Sequence, residues 1–194
     1  MKKLNVGILG FGTVGGGAYQ ILTHNRDLIA ERTGVSIDVV KALVRRKRDG
    51  LPPHKITEDP DVILNDPDID VVVETMGGIE PASSFMLQAM EHGKHVVTAN
   101  KAAVAANYEK LQAAAEKNNV QFLFEASVGG GIPVLTAIRG ALQGNRFQEV
   151  MGIVNGTTNY ILTKMTEAGA DYADVLKDAQ AKGFAEADPT ADVE

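Results

Sequence analysis

Three features of this sequence predict an α/β fold built on a doubly wound parallel sheet. A short apolar run, Leu4–Leu9, ends in glycines at positions 10, 12 and 15, and a helical pattern follows at once. Short β-branched runs then alternate with helix-length amphipathic segments through five βα units, as expected of parallel strands joined by helical crossovers. Glycine-rich turns follow several of these runs, on the edge where such sheets bind ligands.

The first turn carries the most chemistry. Gly10 allows a tight exit from the strand, Gly12 lets backbone approach a pyrophosphate, and Gly15 lets the helix pack closely on the strand. The helix that opens at Thr13 then presents unpaired N–H groups and a positive dipole end to the phosphates. A strand before the glycines and a helix after them is the context that a dinucleotide-binding, Rossmann-type turn requires. The competing reading is a glycine-rich turn that only tightens packing.

Composition bounds the rest. A chain of 194 residues, 44% hydrophobic, suits one large domain or one and a half. Its net charge of −6 argues against a general nucleic-acid or anionic-membrane binder. The lack of cysteine removes disulfides, thiolate zinc sites and cysteine nucleophiles, and fits a cytoplasmic protein. Met1-Lys2-Lys3 before an apolar stretch mimics a signal peptide, but Asn5 and the glycines interrupt its core. No apolar run approaches the ~18 residues of a membrane span. The expectation is a soluble, cytoplasmic protein with a small-molecule substrate and neither nucleic acid nor membrane as partner.

In chain order, the first helix is expected from Thr13 to about Glu31, closed by Thr33-Gly34, and a second strand from Ile37 to Val44. Arg45-Arg46-Lys47-Arg48 follows where an NAD-binding fold would carry an acid for the ribose hydroxyls. Arginine instead suits the 2′-phosphate of NADP, because its planar fork can donate two hydrogen bonds to phosphate oxygens. An exposed basic loop is the alternative, so NADP is favoured and NAD remains open. Leu51-Pro52-Pro53 breaks the chain, and a short helix around 59–65 leads to a third strand, Ile69–Glu74. Pro81 opens the next helix and Gly93 ends it. His92 and His95 mimic a metal pair, but Gly93 and a strand start lie between them.

A fourth strand, His95–Thr98, runs into Ala99-Asn100-Lys101 and a helix from Lys101 to about Lys117. A cation at a helix N-terminus opposes the dipole, so Lys101 is either functional or a solvated surface lysine. Gln121–Ser127 is expected as a fifth strand. The three glycines at 129–131 then suggest a hinge, a close approach to a ligand, or carbonyls turned toward a cation. Beyond lie an expected helix Val134–Leu142, a strand Phe147–Val154 and a helix through Ile161, Leu162 and Met165, capped by Thr157 or Thr158. A last helix spans Asp171–Ala181 with Gly183 as its stop. The acidic end is either a solvated tail or the start of a helix that has been cut away.

Four stretches together resemble one family. They are the turn Gly7–Gly15, the segment Val97-Thr98-Ala99-Asn100-Lys101, the run Glu125–Pro133, and Gly152–Leu162 continued by Gly183-Phe184-Ala185-Glu186-Ala187-Asp188-Pro189. In this order and spacing the sequence is similar to the N-terminal portion of bacterial homoserine dehydrogenases, over essentially all its length. That resemblance implies interconversion of L-aspartate 4-semialdehyde and L-homoserine with NADP or NAD, on the branch toward threonine and methionine. It implies an NAD(P)-binding domain over 1–132 and, over 133–194, the start of a second, incomplete α+β substrate domain. Gly10, Phe11, Gly12, Thr13, Val14 and Gly15 would then line the cofactor turn, with Arg45 or Arg46 near the 2′-phosphate, Thr98 and Lys101 also at the cofactor, and Gly183 at cofactor or substrate. Lys101 matches one of two lysines at the reacting centre, and Thr157, Glu186 and Asp192 match positions that hold the substrate. Glu125 and the carbonyls of Val128, Gly130 and Ile132 match a monovalent cation site, of sodium type. The family continues past this point with a glycine, an aspartate and the second lysine, so the expectation is a fragment of impaired activity from a homodimer or higher oligomer. Another semialdehyde or dihydrodipicolinate-type reductase, or a nucleotide-binding module without turnover, are the alternatives.

Overall fold

The computed structural model describes residues 2–45 and 50–185, and two compact units divide between Gln143 and Gly144. Six parallel strands form the sheet of the first unit: β1 (Lys2–Leu9), β2 (Val35–Leu43), β3 (Ile56–Thr57), β4 (Val71–Glu74), β5 (His95–Thr98) and β6 (Phe122–Leu123). Their order is β3-β2-β1-β4-β5-β6. The chain therefore winds outward in one direction from β1, then returns and winds outward in the other. The reversal between β1 and β4 opens a crevice at the carboxyl ends of those two strands, the usual ligand position of such sheets.

Alternating side chains of the strands feed two cores. Val6 and Ile8 of β1 pack with Val39 and Ala42 of β2 on one face. On the other face, Leu9, Val72 and Val96 meet α3 (Asp61–Leu64), α4 (Ala82–Glu91) and α5 (Lys101–Lys117). With helices covering both faces, β1, β4 and β5 become continuous apolar runs, as buried parallel strands are.

Several elements depart from the sequence expectation. The first helix is two, α1 (Thr13–His24) and α2 (Arg26–Thr33), because Asn25 leaves helical geometry at φ −99° and ψ 17° and ends one helix while starting the next. The edge strand β3 was not expected, since two residues after a proline-led 3₁₀ turn carry no period. The expected strand Gln121–Ser127 shortens to β6, and 125–127 turn as 3₁₀ helix. A helix α6 (Val134–Arg139) stops short of Leu142 at Gly140. Within α5, Asn107 breaks helical geometry while its side-chain amide donates to Ser83 Oγ of α4 at 3.0 Å.

The second unit is a helical hairpin, α7 (Gly156–Ala168) and α8 (Tyr172–Ala181), joined through a left-handed Gly169. Its core is small: Ile161, Val175, Ala179 and Ala185. The strand expected at 147–154 is absent from the described backbone. Val150, Met151, Ile153 and Val154 are 73–97% exposed, and no described strand pairs with them. A strand is stabilised by its ladder and cross-strand contacts, so β-branched composition alone does not produce one.

Candidate active site

The carboxyl edge of the sheet is built first by glycine sterics. Gly10 sits at φ +95°, and a Cβ there would stand 2.9 Å from the Thr75 carbonyl oxygen. A Cβ on Gly15 would stand 2.1 Å from the Gly10 carbonyl oxygen, so only glycine lets α1 start this close to β1. Thr75, just past β4, secures the turn: its N–H donates to Leu9 O at 2.8 Å and its hydroxyl to Gly10 O at 2.6 Å. Gly12 differs, because nothing lies within 4 Å of where its Cβ would be.

Gly12 is also the N-cap of α1, where no side chain accepts from the first-turn N–H groups and no acid sits in that turn. The cap residue borders an open cavity of about 350 Å³, lined by Gly10, Phe11, Gly12, Leu43, Val44, Arg45, Thr75 and Met76. An uncapped helix N-terminus beside a backbone without side chains suits the diphosphate of a dinucleotide. Phe11 closes one side, held edge-on against Tyr19 with ring centroids 5.6 Å apart. Thr13 and Val14 open α1, and Val14 is exposed. A second cavity of about 620 Å³ shares Leu43, Val44, Arg45 and Met76 and extends along Glu58, Gly77, Pro81 and Phe85. Arg45 thus borders both spaces, whereas Arg46 lies outside the described residues.

Lys101 is exposed and is the first residue of α5, directly after the N-cap Asn100 at the carboxyl end of β5. Behind it runs a buried polar network that the sequence reading did not single out. Glu74, at 0% exposure, closes β4 and accepts the Thr98 hydroxyl at 2.5 Å and the Met76 N–H at 2.7 Å. Thr98 is therefore committed to Glu74 and is itself buried. Asn100 donates to Gly78 O at 2.7 Å, while its side-chain oxygen accepts from Ala103 N–H at 3.1 Å and caps α5. A signal was present in the sequence: Glu74 shares a strand face with Val72, two residues back, on the buried side.

Glu125 also bonds the start of the helix that follows it. Its carboxylate accepts from Leu135 N–H at 2.9 Å and from Thr136 N–H and Oγ, each at 2.6 Å, so it caps α6. The Thr136 hydroxyl, with backbone donors of the same turn, holds this carboxyl below its usual range. Val128 N–H donates to Glu125 O, and Ile132 O accepts from Val134 N–H at 2.9 Å. Gly130 stands between them at φ +59°. Among the described residues no cluster of three or more acidic or histidine side chains forms a metal site, and His92 instead bonds Leu64 O.

In the second unit, the cap of α7 is Asn155, which accepts from Thr158 N–H at 2.9 Å, rather than Thr157 or Thr158. Thr157 is buried, and its hydroxyl donates to Phe184 O at 2.6 Å. Gly183, at φ +76°, ends α8: its N–H reaches Gln180 O and that of Phe184 reaches Ala179 O, a Schellman closure. Glu186 and Asp192 lie outside the described residues.

Comparison with known proteins converges on one family. Residues 10–125 match the family described as homoserine dehydrogenase, NAD binding domain, and residues 133–194 match homoserine dehydrogenase. The homoserine dehydrogenase of Synechocystis is 48% identical over 98% of this chain, and that of Bacillus subtilis 45% over all of it. A crystal structure of homoserine dehydrogenase from Thiobacillus denitrificans superposes with a TM-score of 0.93 at 48% identity, over 100% of this chain and 46% of that one. A hyperthermophilic archaeal homoserine dehydrogenase in complex with NADPH gives 0.80 at 28% identity, over 98% and 65% of the two chains. The chain spans about half the length of the curated relatives it matches, 45% of the first and 46% of the second. With its sheet order, its glycine turn and both family segments in register along one sequence, the chain belongs to the homoserine dehydrogenase family.

Proposed function

We propose that this chain supplies the nucleotide site and one reacting lysine of an enzyme that reduces L-aspartate 4-semialdehyde to L-homoserine with NADPH. The observation that carries the reading is the shared edge: the uncapped start of α1 and the start of α5 with Lys101 both lie at the carboxyl ends of one parallel sheet. When bound, the nicotinamide ring supplies a hydride to the aldehyde carbon. Negative charge then grows on the carbonyl oxygen. The Lys101 ammonium, brought against that oxygen, would stabilise the charge and donate the proton. Thr157, Glu186 and Asp192 hold the amino-acid end, the two acids pairing with its ammonium so that the aldehyde faces the cofactor. Residues 1–132 serve the nucleotide and 133–194 begin the substrate side.

Arg45 and Arg46 favour NADPH over NADH, because a guanidinium can bind the 2′-phosphate in two places. Glu125 with the carbonyls of Val128, Gly130 and Ile132 offers an all-oxygen donor set, which suits a hard cation such as sodium. The wider setting is a cytoplasmic homo-oligomer working toward threonine and methionine. That setting agrees with the lack, among described residues, of any helix long and apolar enough to cross a membrane.

The test is an assay of aspartate semialdehyde with NADPH, using this chain beside the polypeptide encoded by the intact gene. Turnover in the latter supports the reading. No turnover in either overturns the proposed reaction and leaves a nucleotide-binding member of the family without this turnover. Fluorescence titration decides the cofactor: equal NADPH and NADH affinities, unmoved by Arg45→Ala/Arg46→Ala, would remove the preference. For the cation, sodium should raise thermal stability above that in choline chloride, and identical melting in both would remove the ion.

A further inference from the structure

Glu74 is a carboxylate without accessible surface in the middle of a parallel sheet, an expensive place for one. Val72, two residues back on the same face, is equally buried and apolar. The two Glu74 oxygens instead gather donors from separate segments of the carboxyl edge. Oε1 accepts Met76 N–H at 2.7 Å and Asn100 Nδ2 at 3.4 Å, and Oε2 accepts the Thr98 hydroxyl at 2.5 Å. The Thr98 oxygen in turn accepts the backbone N–H of Asn100 at 2.9 Å. Asn100 then reaches Gly78 O with its amide nitrogen at 2.7 Å and caps α5 through Ala103 N–H at 3.1 Å with its oxygen. The bonds thus run from the Met76–Gly78 turn, which borders both cavities, to the cap of the helix that begins with Lys101.

We propose that Glu74 is a positioning residue that fixes where Lys101 stands relative to the cofactor turn. This rests on the reading of Lys101 as a reacting lysine. The Asn100 side chain holds a single orientation because Glu74 and Gly78 hold one end while Ala103 N–H holds the other. Removing the carboxylate leaves the Thr98 hydroxyl and the Met76 N–H without this acceptor. Asn100 loses one side-chain bond and the fixed Thr98 oxygen that accepts its N–H, and its side chain keeps only Gly78 and Ala103. The α5 cap then loosens one residue from Lys101. A displacement of about 1 Å at a reacting group can cost on the order of a hundredfold in rate, so even partial loosening is measurable. Because the same carboxylate holds Met76, the turn beside the cavities and the lysine share one anchor.

The experiment uses the polypeptide encoded by the intact gene, with Glu74→Ala, Glu74→Gln and Lys101→Ala made singly and Glu74→Ala combined with Lys101→Ala. Glu74→Ala should lower kcat by about tenfold or more with KM for aspartate semialdehyde held within about twofold. Glu74→Gln keeps the shape and one accepting oxygen, and should restore most of the rate. In the Lys101→Ala background Glu74→Ala should lower kcat no further. An unchanged kcat in Glu74→Ala, or an equal fall with and without Lys101, overturns the proposal. Full activity in Lys101→Ala alone instead overturns the reading of the lysine. If Glu74→Ala fails to fold, Asn100→Ser carries the test, since serine still caps α5 but is too short to reach Glu74 and Gly78. It should show the same fall and the same masking by Lys101→Ala, and a normal kcat there overturns the proposal. Independently of turnover, hydrogen exchange at the Ala103 amide should quicken in Glu74→Ala and not in Glu74→Gln, and unchanged protection overturns the network.

Discussion

Two stretches rich in β-branched residues meet opposite fates in this molecule. His95–Thr98 pairs in parallel with β4 on one side and β6 on the other, and its Val96 is fully buried. The stretch 147–154 is at least as apolar, yet no described strand pairs with it and its Val154 is 97% exposed. The difference lies in what surrounds them. The first unit brings a complete sheet and helices on both faces, so the apolar residues of its central strands find partners, while Leu123 on the edge strand stays half exposed. The second offers a helical hairpin whose small core is closed by its own helices. Apolar composition marks a capacity to pair; neighbours decide whether it is used.

The contrast is tested most severely where the first unit is most finished. Leu111 in α5 is fully buried against the sheet. Leu111→Ala should cost about 3 kcal/mol, within the range for large-to-alanine core changes. A urea midpoint that falls while the m value holds would report it. A cost below about 1 kcal/mol would mean that this core collapses around the gap, and that the first unit is less complete than its burial indicates.

Chemistry gives the next effect. Lys101 stands on the finished edge with its side chain exposed, so Lys101→Ala should leave unfolding unchanged within about 0.5 kcal/mol. In the polypeptide of the intact gene it should lower kcat by roughly a hundredfold or more. In this chain alone it should reduce NADPH affinity at most. Full turnover in the variant would return Lys101 to the status of a surface lysine.

The second unit has its own ordered feature, a polar clamp between its two helices. The Tyr160 hydroxyl donates to Asp178 Oδ2 at 2.5 Å, and Lys182 Nζ donates to that carboxylate at 2.7 Å and to the hydroxyl at 2.8 Å. The Lys182 hydrogen bond, followed by that of Tyr160, holds the Asp178 carboxyl below its ordinary value of 3.8, and Asp178 holds Lys182 above 10.5. A depressed carboxyl contributes stability above its unfolded value and loses it as pH falls through the folded one. A raised ammonium contributes below its unfolded value and loses it as pH rises through the folded one. Hairpin protection should therefore be flat across neutral pH, fall in acid below the ordinary carboxylate value and fall again beyond the ordinary lysine value. Hydrogen exchange along α8 measures this, and protection unchanged at pH 3 would count against the clamp. At neutral pH Tyr160→Phe should cost about 0.5–1 kcal/mol, the net worth of one partly solvated hydrogen bond.

The sequence was legible wherever local sterics or periodicity decide. The glycines at 10 and 15 are demanded by the backbone at 2.9 and 2.1 Å, and such demands leave no other residue available. Lys101 was legible because its place at a strand end and helix start follows from periodicity on both sides. Glu74 was legible only as a carboxylate on the buried face it shares with Val72, because its partners Thr98 and Asn100 lie 24 and 26 positions away. The single first helix was also misread: Asn25 leaves helical geometry and divides it, and Val14, Ile21 and Leu28 along it are exposed. Glu125 shows the limit most clearly. Its carboxylate suits a cation or a helix cap on residue type alone; the fold adds the cap through Leu135 and Thr136, and the cation is left to the sodium test.

The smallest effect sharpens the opening contrast most directly, because one substitution can be made in both stretches. Valine to threonine nearly preserves shape and keeps strand propensity, so any difference between sites reports burial of the hydroxyl. Val96→Thr places that hydroxyl in a closed core, at a cost of about 1–3 kcal/mol unless it finds a partner. Val154→Thr leaves it in water, where the change should stay within about 0.5 kcal/mol. Paired urea titrations of the two variants decide the matter. A cost above about 1 kcal/mol at Val154 would show that the residue is covered in solution, and a second copy of the chain is the first cover to test. In that case the cost should shrink on dilution, because stability gained by association depends on protomer concentration whereas a contact within one chain does not.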